Sequence, residues 1–372
     1  MSQNPKPPKR TKANKAQEKA VVERMQQDLD GYIDRYNEIL DRRQQLFAQE
    51  VLPFWQQATF RILQELKKLH AELVDAQRVP ITQDPIDPAK YRNMQREIDR
   101  LTILAQQMVA LAQADMPEKM RRNLAYTYAD SYYFHAWGLE QATQLAINVP
   151  QLNAAGVMGV LANPWLPDGN TYSDRIRANT AYLADKMRAG IADAVNMGWD
   201  WNKTARHIED IAGEGYLNSV RLARTEINRA ASQASSHIFM QNADILDGKR
   251  WNATLDARTA PKDAANDRKV YDLAYDTAEM PGRPGERIPN HPNCRCKYSP
   301  VVSGVKDRVR ERIARGAGDT PSEFGERTYV KVADYREYAK QRGIDLDERL
   351  RNDDPGRYLN NQERRGLPQP TF

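Results

Sequence analysis

Two stretches of this 372-residue chain decide its fold: Arg250–Thr259, which reads RWNATLDART, and Pro289–Cys296, which reads PNHPNCRC. β-Branched and aromatic residues at 249–255 and 297–302 predict two strands that bracket a polar loop rich in proline and glycine. Upstream of them, apolar residues recur at helical spacing. The sequence therefore predicts a mainly α protein with one small α+β module at roughly 173–303.

The N-terminal region is predicted to be a long helix with a narrow, coiled-coil-like apolar stripe, which is interrupted only at Arg43. Pro53 is predicted to end or kink this helix. Further helices are predicted at about 54–78, 89–114 and 117–148, with a proline-rich loop before the second of them. The stripe consists of Val22, Met25, Leu29, Tyr32, Tyr36, Ile39 and Leu46.

The second half is predicted to begin with a helix of about 24 residues from Ser173, followed by a short helix at 203–212. Gly213 and Gly215 are predicted to separate that helix from the next, at 217–243. A basic helix at 305–315 and a strand and helix at 328–342 should follow the module. The predicted organisation is a disordered basic arm (1–15), a helical bundle or coiled-coil-like region (16–150), a linker (151–172), the α+β module (173–303), and C-terminal helices with an extended tail (304–372).

The formal net charge of +5 comes almost entirely from the N-terminal arm. Such an arm can bind phosphate backbones without sequence specificity, or it can be a solvated tail that aids solubility. No apolar run reaches the roughly 18 residues that span a bilayer, and we identify no secretory signal. Two cysteines two residues apart do not form a disulfide scaffold, which fits a reducing cytoplasm. The candidate DNA contacts are Lys6, Lys9, Arg10, Lys12, Lys15 and Lys19.

An aromatic cluster lies on the helix predicted at 117–148. Tyr126, Tyr133 and Trp137 share one face by helical spacing, while Tyr128 and Tyr132 lie on another. Stacking on nucleic acid is one interpretation. We favour packing against neighbouring helices or a partner subunit.

A candidate metal site lies near the end of the module, where His291, Cys294 and Cys296 offer one imidazole and two thiolates within six residues. Structural zinc sites use four such ligands in a tetrahedron, so a fourth must come from elsewhere. The alternative is a tight turn in which both cysteines act as small buried hydrophobic residues. A disulfide between them would be strained.

A catalytic interpretation uses some of the same residues. His291 and Asp256 could form a general acid–base pair, and Cys294 could act as a nucleophile beside Arg295. The sequence has no glycine-rich phosphate loop and no nucleophile elbow. We therefore predict that the protein is not an enzyme.

A third hypothesis concerns the charged residues around the first predicted strand. Arg224 and Glu226 lie two apart on the preceding helix, so they do not share a face. Arg224 could pair with Asp256, and Glu226 with Arg258, across the contact between helix and strand. These four residues would then form a buried polar lock that specifies the module fold.

Taken together, Arg224–Ala230, the Asp256-x-Arg258-Thr259 segment and Pro289–Cys296 resemble the phage head morphogenesis family typified by the F protein of phage Mu. Many members carry His or Cys at the position that matches Asp263, which makes Asp263 the expected fourth zinc ligand. Arg268 stands where many members have glycine. The resemblance covers about 173–303.

The resemblance implies a minor capsid protein of a tailed phage, made in the host cytoplasm and located in the virion, in the head interior or near the portal. Its expected role is to support head assembly and DNA packaging or delivery. Expected partners are the portal protein, the major capsid or scaffolding protein, and packaged DNA. Two alternatives stay open: a metal-dependent nuclease or transferase-like toxin module on a helical delivery region, and an internal DNA-binding head protein without portal contact.

Overall fold

A computed structural model describes residues 12–77, 88–162, 170–197, 201–277, 280, 282–283, 285–304, 310–315 and 327–354. Most of the described residues are helical, which confirms the mainly α prediction. Among the described residues, no helix is long and apolar enough to cross a membrane.

The elements are α1 (Lys12–Gln77), α2 (Pro88–Gln113), α3 (Met116–Thr143), α4 (Ala154–Ala162), α5 (Tyr172–Asn196), α6 (Trp201–Met240), β1 (Leu246–Asn252), α7 (Pro261–Asn266), β2 (Val270–Tyr271), β3 (Lys297–Val302), β4 (Arg310–Arg315), β5 (Arg327–Val332), α8 (Tyr335–Gln341) and α9 (Leu346–Arg351).

Helix α1 begins within the predicted arm and runs on through Pro53, so the predicted end at that residue is wrong. A proline removes one backbone hydrogen bond. The buried face nevertheless continues beyond it with Trp55 and Ile62, and this packing holds the helix together. Residues 1–11 and the proline-rich segment 78–87 lie outside the described residues.

The buried face of α1 follows the 3.6-residue period of a straight helix rather than a coiled-coil seam. Ile39 and Leu46 of the predicted stripe are 37% and 54% exposed, so their assignment to the packed face is wrong. A stripe repeating every 3.5 residues drifts away from the buried side of a straight helix. Where the burial of α1 is described, the buried residues are Gln26, Leu29, Asp30, Ile33, Tyr36, Leu40, Asp41, Gln44, Phe47, Ala48, Val51, Trp55, Ala58 and Ile62.

Helix α6 is continuous from Trp201 to Met240, so the predicted break at Gly213 and Gly215 is wrong. A Cβ atom at residue 215 would lie 2.5 Å from the ring of Trp55. Gly215 therefore permits close helix packing and does not end the helix. Sequence alone cannot distinguish a helix-breaking glycine from a packing one.

The C-terminal region also differs from prediction. Residues 310–315, expected in a basic helix, form β4, which pairs antiparallel with β5. Strand pairing overrides the modest helix preference of these residues. The predicted strand and helix at 328–342 are confirmed as β5 and α8. The predicted linker contains α4, and the tail from residue 355 lies outside the described residues.

The chain divides into two compact units, and each is built from several separate segments. The boundaries drawn from the sequence stay predictions. Unit 1 comprises Met1–Arg42, Ala125–Gly159 and Ile227–Pro368, and unit 2 comprises Arg43–Leu124, Val160–Glu226 and Gln369–Phe372.

Unit 1 contains a three-stranded antiparallel sheet in the order β2-β1-β3. Trp251 of β1 lies opposite Tyr298 of β3, and their rings meet edge to face at 5.8 Å. The side chain of Gln26 covers the outer edge of β3, because it donates to Pro300 O at 3.1 Å and accepts from Val302 N at 3.0 Å. Helix α1 thus satisfies backbone groups that an edge strand leaves open.

Unit 2 is a helical assembly in which α2 packs on α5, and α5 on α6. Ile191 and Ile208 are fully buried in its core. Gly190 lets α5 approach α6 closely, since a Cβ atom there would lie 2.8 Å from the ring of His207.

Candidate metal centre

Two segments of unit 1 bring together the four residues predicted to hold zinc. Asp263 lies in the first turn of α7, which begins at Pro261 just beyond β1. His291, Cys294 and Cys296 lie on the loop that leads into β3. Asp263 and both cysteines are buried, with at most 2% of each residue exposed. The cysteines are free thiols.

The ligand atoms of the four residues converge on Asp263. His291 Nε2 donates to Asp263 Oδ2 at 2.9 Å, and Cys294 Sγ donates to the same oxygen at 3.6 Å. One carboxylate oxygen of Asp263 and the sulfur atoms of Cys294 and Cys296 all lie within 4.8 Å of one another. Sequence reasoning therefore assembled a set of residues that are adjacent in space.

A tight turn shapes the loop that carries three of these residues. Cys294 N donates to His291 O at 3.0 Å, which closes a four-residue turn. Pro292 occupies its second position, and Asn293 occupies the third with φ of +63°. Proline followed by asparagine at positive φ suits a type II turn. The turn directs His291 and Cys294 toward the same carboxylate.

Two asparagines, which sequence reasoning missed, hold the cluster in place. Asn228 of α6 donates to Cys294 O at 3.0 Å and to Cys296 O at 3.2 Å. Asn290 Nδ2 donates to Asp263 Oδ1 at 3.0 Å. Both asparagines lie in quoted motifs, Asn290 directly before His291. The available signal was a polar amide inside each motif, because a polar side chain that becomes buried needs hydrogen-bond partners.

The electrostatics of the site follow from burial and from these contacts. Burial alone would raise the pKa of Asp263, but hydrogen bonds from His291 and Asn290 outweigh it and lower that pKa. Burial alone would lower the pKa of His291, but the hydrogen bond to Asp263 outweighs it and raises that pKa to about 9. Burial raises the pKa of the Cys296 thiol. Without a metal, Asp263 and His291 thus form a buried ion pair at neutral pH.

Asp256 occupies a second polar cluster at the end of β1. Its Oδ1 accepts from Arg295 Nη2 at 2.9 Å, and its Oδ2 accepts from Arg295 Nη1. Oδ1 also accepts from the backbone N–H of Arg258 at 2.9 Å. Tyr335 Oη of α8 donates to Asp256 O at 2.6 Å. This cluster joins the start of β3 and the C-terminal segment to the end of β1.

The structure replaces the predicted pairing of His291 with Asp256. His291 pairs with Asp263, and Asp256 pairs with Arg295. The sequence analysis assigns Arg295 only a place beside Cys294, because the sequence does not show which way the Arg295 side chain points. Cys294 itself is fully buried. The arrangement brings a thiol, an imidazole and a carboxylate into contact with one another.

The polar lock involves residues of both units, and its proposed pairs stay predictions. Arg258 Nη2 lies 4.0 Å from Asp256 Oδ2, so these two members are close. Arg224 and Glu226 are buried, with 5% and 1% of each residue exposed.

The six candidate DNA contacts fall at the beginning of the chain. Lys6, Lys9 and Arg10 lie outside the described residues, and Lys12 and Lys15 belong to the first turns of α1. Lys19 is exposed and lies 3.8 Å from Glu23. DNA binding by this segment stays a prediction.

The aromatic cluster divides between two faces of α3, as predicted. Tyr128 and Tyr132 are buried, while Tyr126, Tyr133 and Trp137 are 64%, 43% and 41% exposed. The ring of Trp137 contacts that of Tyr32 at 4.8 Å. We call Tyr126, Tyr133 and Trp137 the aromatic face.

Comparison with known proteins confirms the family resemblance. Residues 185–299 match the family described as Phage Mu protein F like protein. A curated relative is NAD(+)--arginine ADP-ribosyltransferase EFV of Enterococcus faecalis (strain ATCC 700802 / V583), which is 26% identical over 225 residues. The alignment covers 58% of this chain and 46% of the relative, so the chain spans about half the length of that protein. No solved structure matches.

Proposed function

We propose that the protein is a minor capsid protein that acts in head morphogenesis of a tailed phage. The observation that carries this proposal is the match of residues 185–299 to the Phage Mu protein F like family. The matched region includes the sheet strand β1, helix α7 and the first half of β3. Because the cysteines and their polar neighbours are buried there, we infer that the region serves a structural role.

We further propose that the protein joins the head at or near the portal and supports assembly and DNA packaging or delivery. It would be made in the host cytoplasm and located in the virion. Its protein partners would be the portal protein and the major capsid or scaffolding protein. The aromatic face of α3 supports a partner role, since large exposed aromatic side chains are enriched at protein interfaces.

Co-purification with the portal protein of the same phage tests this placement. The full-length protein should bind the portal, and the triple change Tyr126→Ser, Tyr133→Ser, Trp137→Ser should reduce binding by at least about tenfold. Gln141→Ala, which alters an exposed polar side chain of the same helix, is the matched control and should bind normally. If the full-length protein does not bind the portal, the portal placement is wrong.

The N-terminal arm is proposed to contact packaged DNA. Six basic residues could neutralise up to about six phosphates, so the logarithm of affinity should fall with the logarithm of salt concentration with a slope of about −5 at most. Deletion of residues 1–19 should abolish most of the binding. Binding that does not depend on salt would refute the proposed role of the arm. DNA binding without portal binding would instead favour an internal head protein.

A second candidate function is arginine ADP-ribosyl transfer, which the name of the Enterococcus faecalis relative suggests. Incubation of the full-length protein with labelled NAD⁺ and an arginine-rich peptide tests it. The head-protein proposal predicts no transfer above that of a heat-denatured sample. Transfer of label to the peptide would support a toxin-like module. Metal-dependent cleavage of DNA that is lost in His291→Ala would support the nuclease alternative.

A further inference from the structure

We propose that Asp263, His291, Cys294 and Cys296 bind one zinc ion, which fastens α7 to the loop that precedes β3. The four residues come from two segments separated by about 28 residues of chain. A shared metal ion would close this long polar loop at its base. The inference concerns the metal alone and does not depend on the head-assembly role.

The spacing of Cys294 and Asp263 fits a tetrahedral ion, whereas His291 lies at hydrogen-bond distance from Asp263 and would move outward to share the ion. Zinc bonds of about 2.0–2.3 Å place neighbouring ligand atoms about 3.3–3.8 Å apart. The distance from Cys294 Sγ to Asp263 Oδ2 is 3.6 Å, and that from His291 Nε2 to the same oxygen is 2.9 Å. One oxygen of Asp263 and the two cysteine sulfur atoms lie within 4.8 Å of one another, and His291 adjoins them through its contact with Asp263.

A hydrogen bond on the far side of the His291 ring orients the imidazole for metal binding. His291 Nδ1 lies 2.8 Å from Pro292 O, a carbonyl that can only accept a hydrogen bond. This carbonyl therefore holds a proton on Nδ1, and loss of the Nε2 proton would leave a neutral imidazole whose Nε2 can bind the metal. Metal-binding histidines commonly donate their other nitrogen to a carbonyl in this way.

Hydrogen bonds from two asparagines restrict the positions of the other three proposed ligands. Asn228 anchors the backbone carbonyls of both cysteines, which limits the movement of the two sulfur atoms. Asn290 orients the Asp263 carboxylate through Oδ1 and leaves Oδ2 for the metal. The Oδ1 atom of Asn290 is buried and has no hydrogen-bond partner among the described residues. A polar group of this kind is expected where a further polar species completes the site.

The chemistry of the ligands selects zinc among common metals. Calcium and magnesium prefer sites made only of oxygen ligands. Iron–sulfur clusters use four cysteines as a rule. One imidazole, two thiolates and one carboxylate in a closed, buried site fit zinc in a structural role. Binding would release the Nε2 proton of His291 and the protons of the cysteine thiols, and the ion would replace the positive charge of the imidazolium beside Asp263.

The metal content of the purified full-length protein tests the inference. The protein is expressed in zinc-supplemented medium, purified without chelators and analysed by inductively coupled plasma mass spectrometry. We expect about one zinc per chain in the wild type and less than about one tenth in Cys294→Ser or Cys296→Ser. The matched control is Arg336→Ala, which alters an exposed side chain outside the ligand set and its hydrogen-bond partners. It should retain zinc.

Cobalt titration of the wild type avoids any folding defect of a variant. Co²⁺ added to protein stripped of metal should give thiolate-to-cobalt charge-transfer absorption, and added Zn²⁺ should abolish it. Wild-type protein with neither zinc nor a cobalt signal would overturn the inference. So would full zinc content in both cysteine variants, or iron in place of zinc.

Discussion

Arg312 and Asp267, 45 residues apart, form a buried bidentate ion pair with distances of 2.6 Å from Nη1 to Oδ2 and 2.9 Å from Nη2 to Oδ1. The two side chains are 5% and 0% exposed. Asp267 Oδ1 also accepts from Ala253 N, and Arg312 Nη2 donates to Ala253 O. Strand β4 is thereby fastened to the end of β1 and to α7.

Removal of one partner should be costly. Arg312→Ala leaves the Asp267 carboxylate buried without its counter-charge, so the free energy of unfolding should fall by about 3–5 kcal/mol. Urea unfolding provides the measurement. Arg336→Ala breaks an ion pair whose side chains are about 60% exposed, and it should cost less than about 1 kcal/mol. Equal effects of the two substitutions would contradict the assigned role of the buried pair.

The two glycines of α6 should respond in opposite ways to alanine. In Gly215→Ala the new methyl group would clash with Trp55 at 2.5 Å, so the variant should lose about 1–3 kcal/mol. Gly213 has nothing within 4 Å of the corresponding position. Gly213→Ala should therefore stabilise the helix by about 0.5–1 kcal/mol. Thermal unfolding distinguishes them, and destabilisation by Gly213→Ala would argue against a continuous helix.

Arg268 adopts φ of +69°, which is the conformation that glycine favours. Its Nη1 donates to Asn252 Oδ1 at 3.0 Å. Arg268→Ala should lose this bond and keep the backbone strain, whereas Arg268→Gly should lose the bond and relieve the strain. The glycine variant should therefore be the more stable of the two by about 1 kcal/mol. Urea titrations of both variants test this, and the reverse order would mean that the turn is not left-handed.

Lys249 is fully buried, and its Nζ donates to Ser236 Oγ at 2.8 Å. Burial lowers its pKa from 10.5 to about 8. Between pH 8 and 10.5 the unfolded chain therefore binds more protons than the folded one, and this group's contribution to stability rises with pH.

Lys249→Met removes that pH dependence. The free energy of unfolding of the wild type minus that of the variant should increase between pH 7 and pH 10, by on the order of 2–3 kcal/mol. Unfolding curves at both pH values measure it, and other titrating groups cancel in the difference. If the wild type and the variant gave parallel profiles of unfolding free energy against pH, the pKa of Lys249 would not be lowered by folding.

The sequence was most informative where local pattern and local structure coincide. β3 was predicted at its observed limits because Lys297–Val302 combines β-branched and aromatic residues between loop residues. Three metal-site residues were found from spacing along one loop. Asp263 was found only through the family resemblance, since nothing in its own neighbourhood marks it as a ligand.

Features set by distant contacts were not predictable in this way. The pairing of Asp256 with Arg295 depends on how the loop before β3 returns to the end of β1. The strand at Arg310–Arg315 depends on its partner β5. The continuity of α6 depends on Trp55, which is remote in sequence and meets Gly215. In each case tertiary packing decided between structures that local preference allows.

We propose that the protein is a component of a phage head. Quantitative mass spectrometry of purified procapsids and mature particles, scaled to the portal protein, tests it most directly. We expect a few copies of this chain per portal in at least one of these particles. Absence of the chain from both would contradict the structural role and favour the transferase candidate.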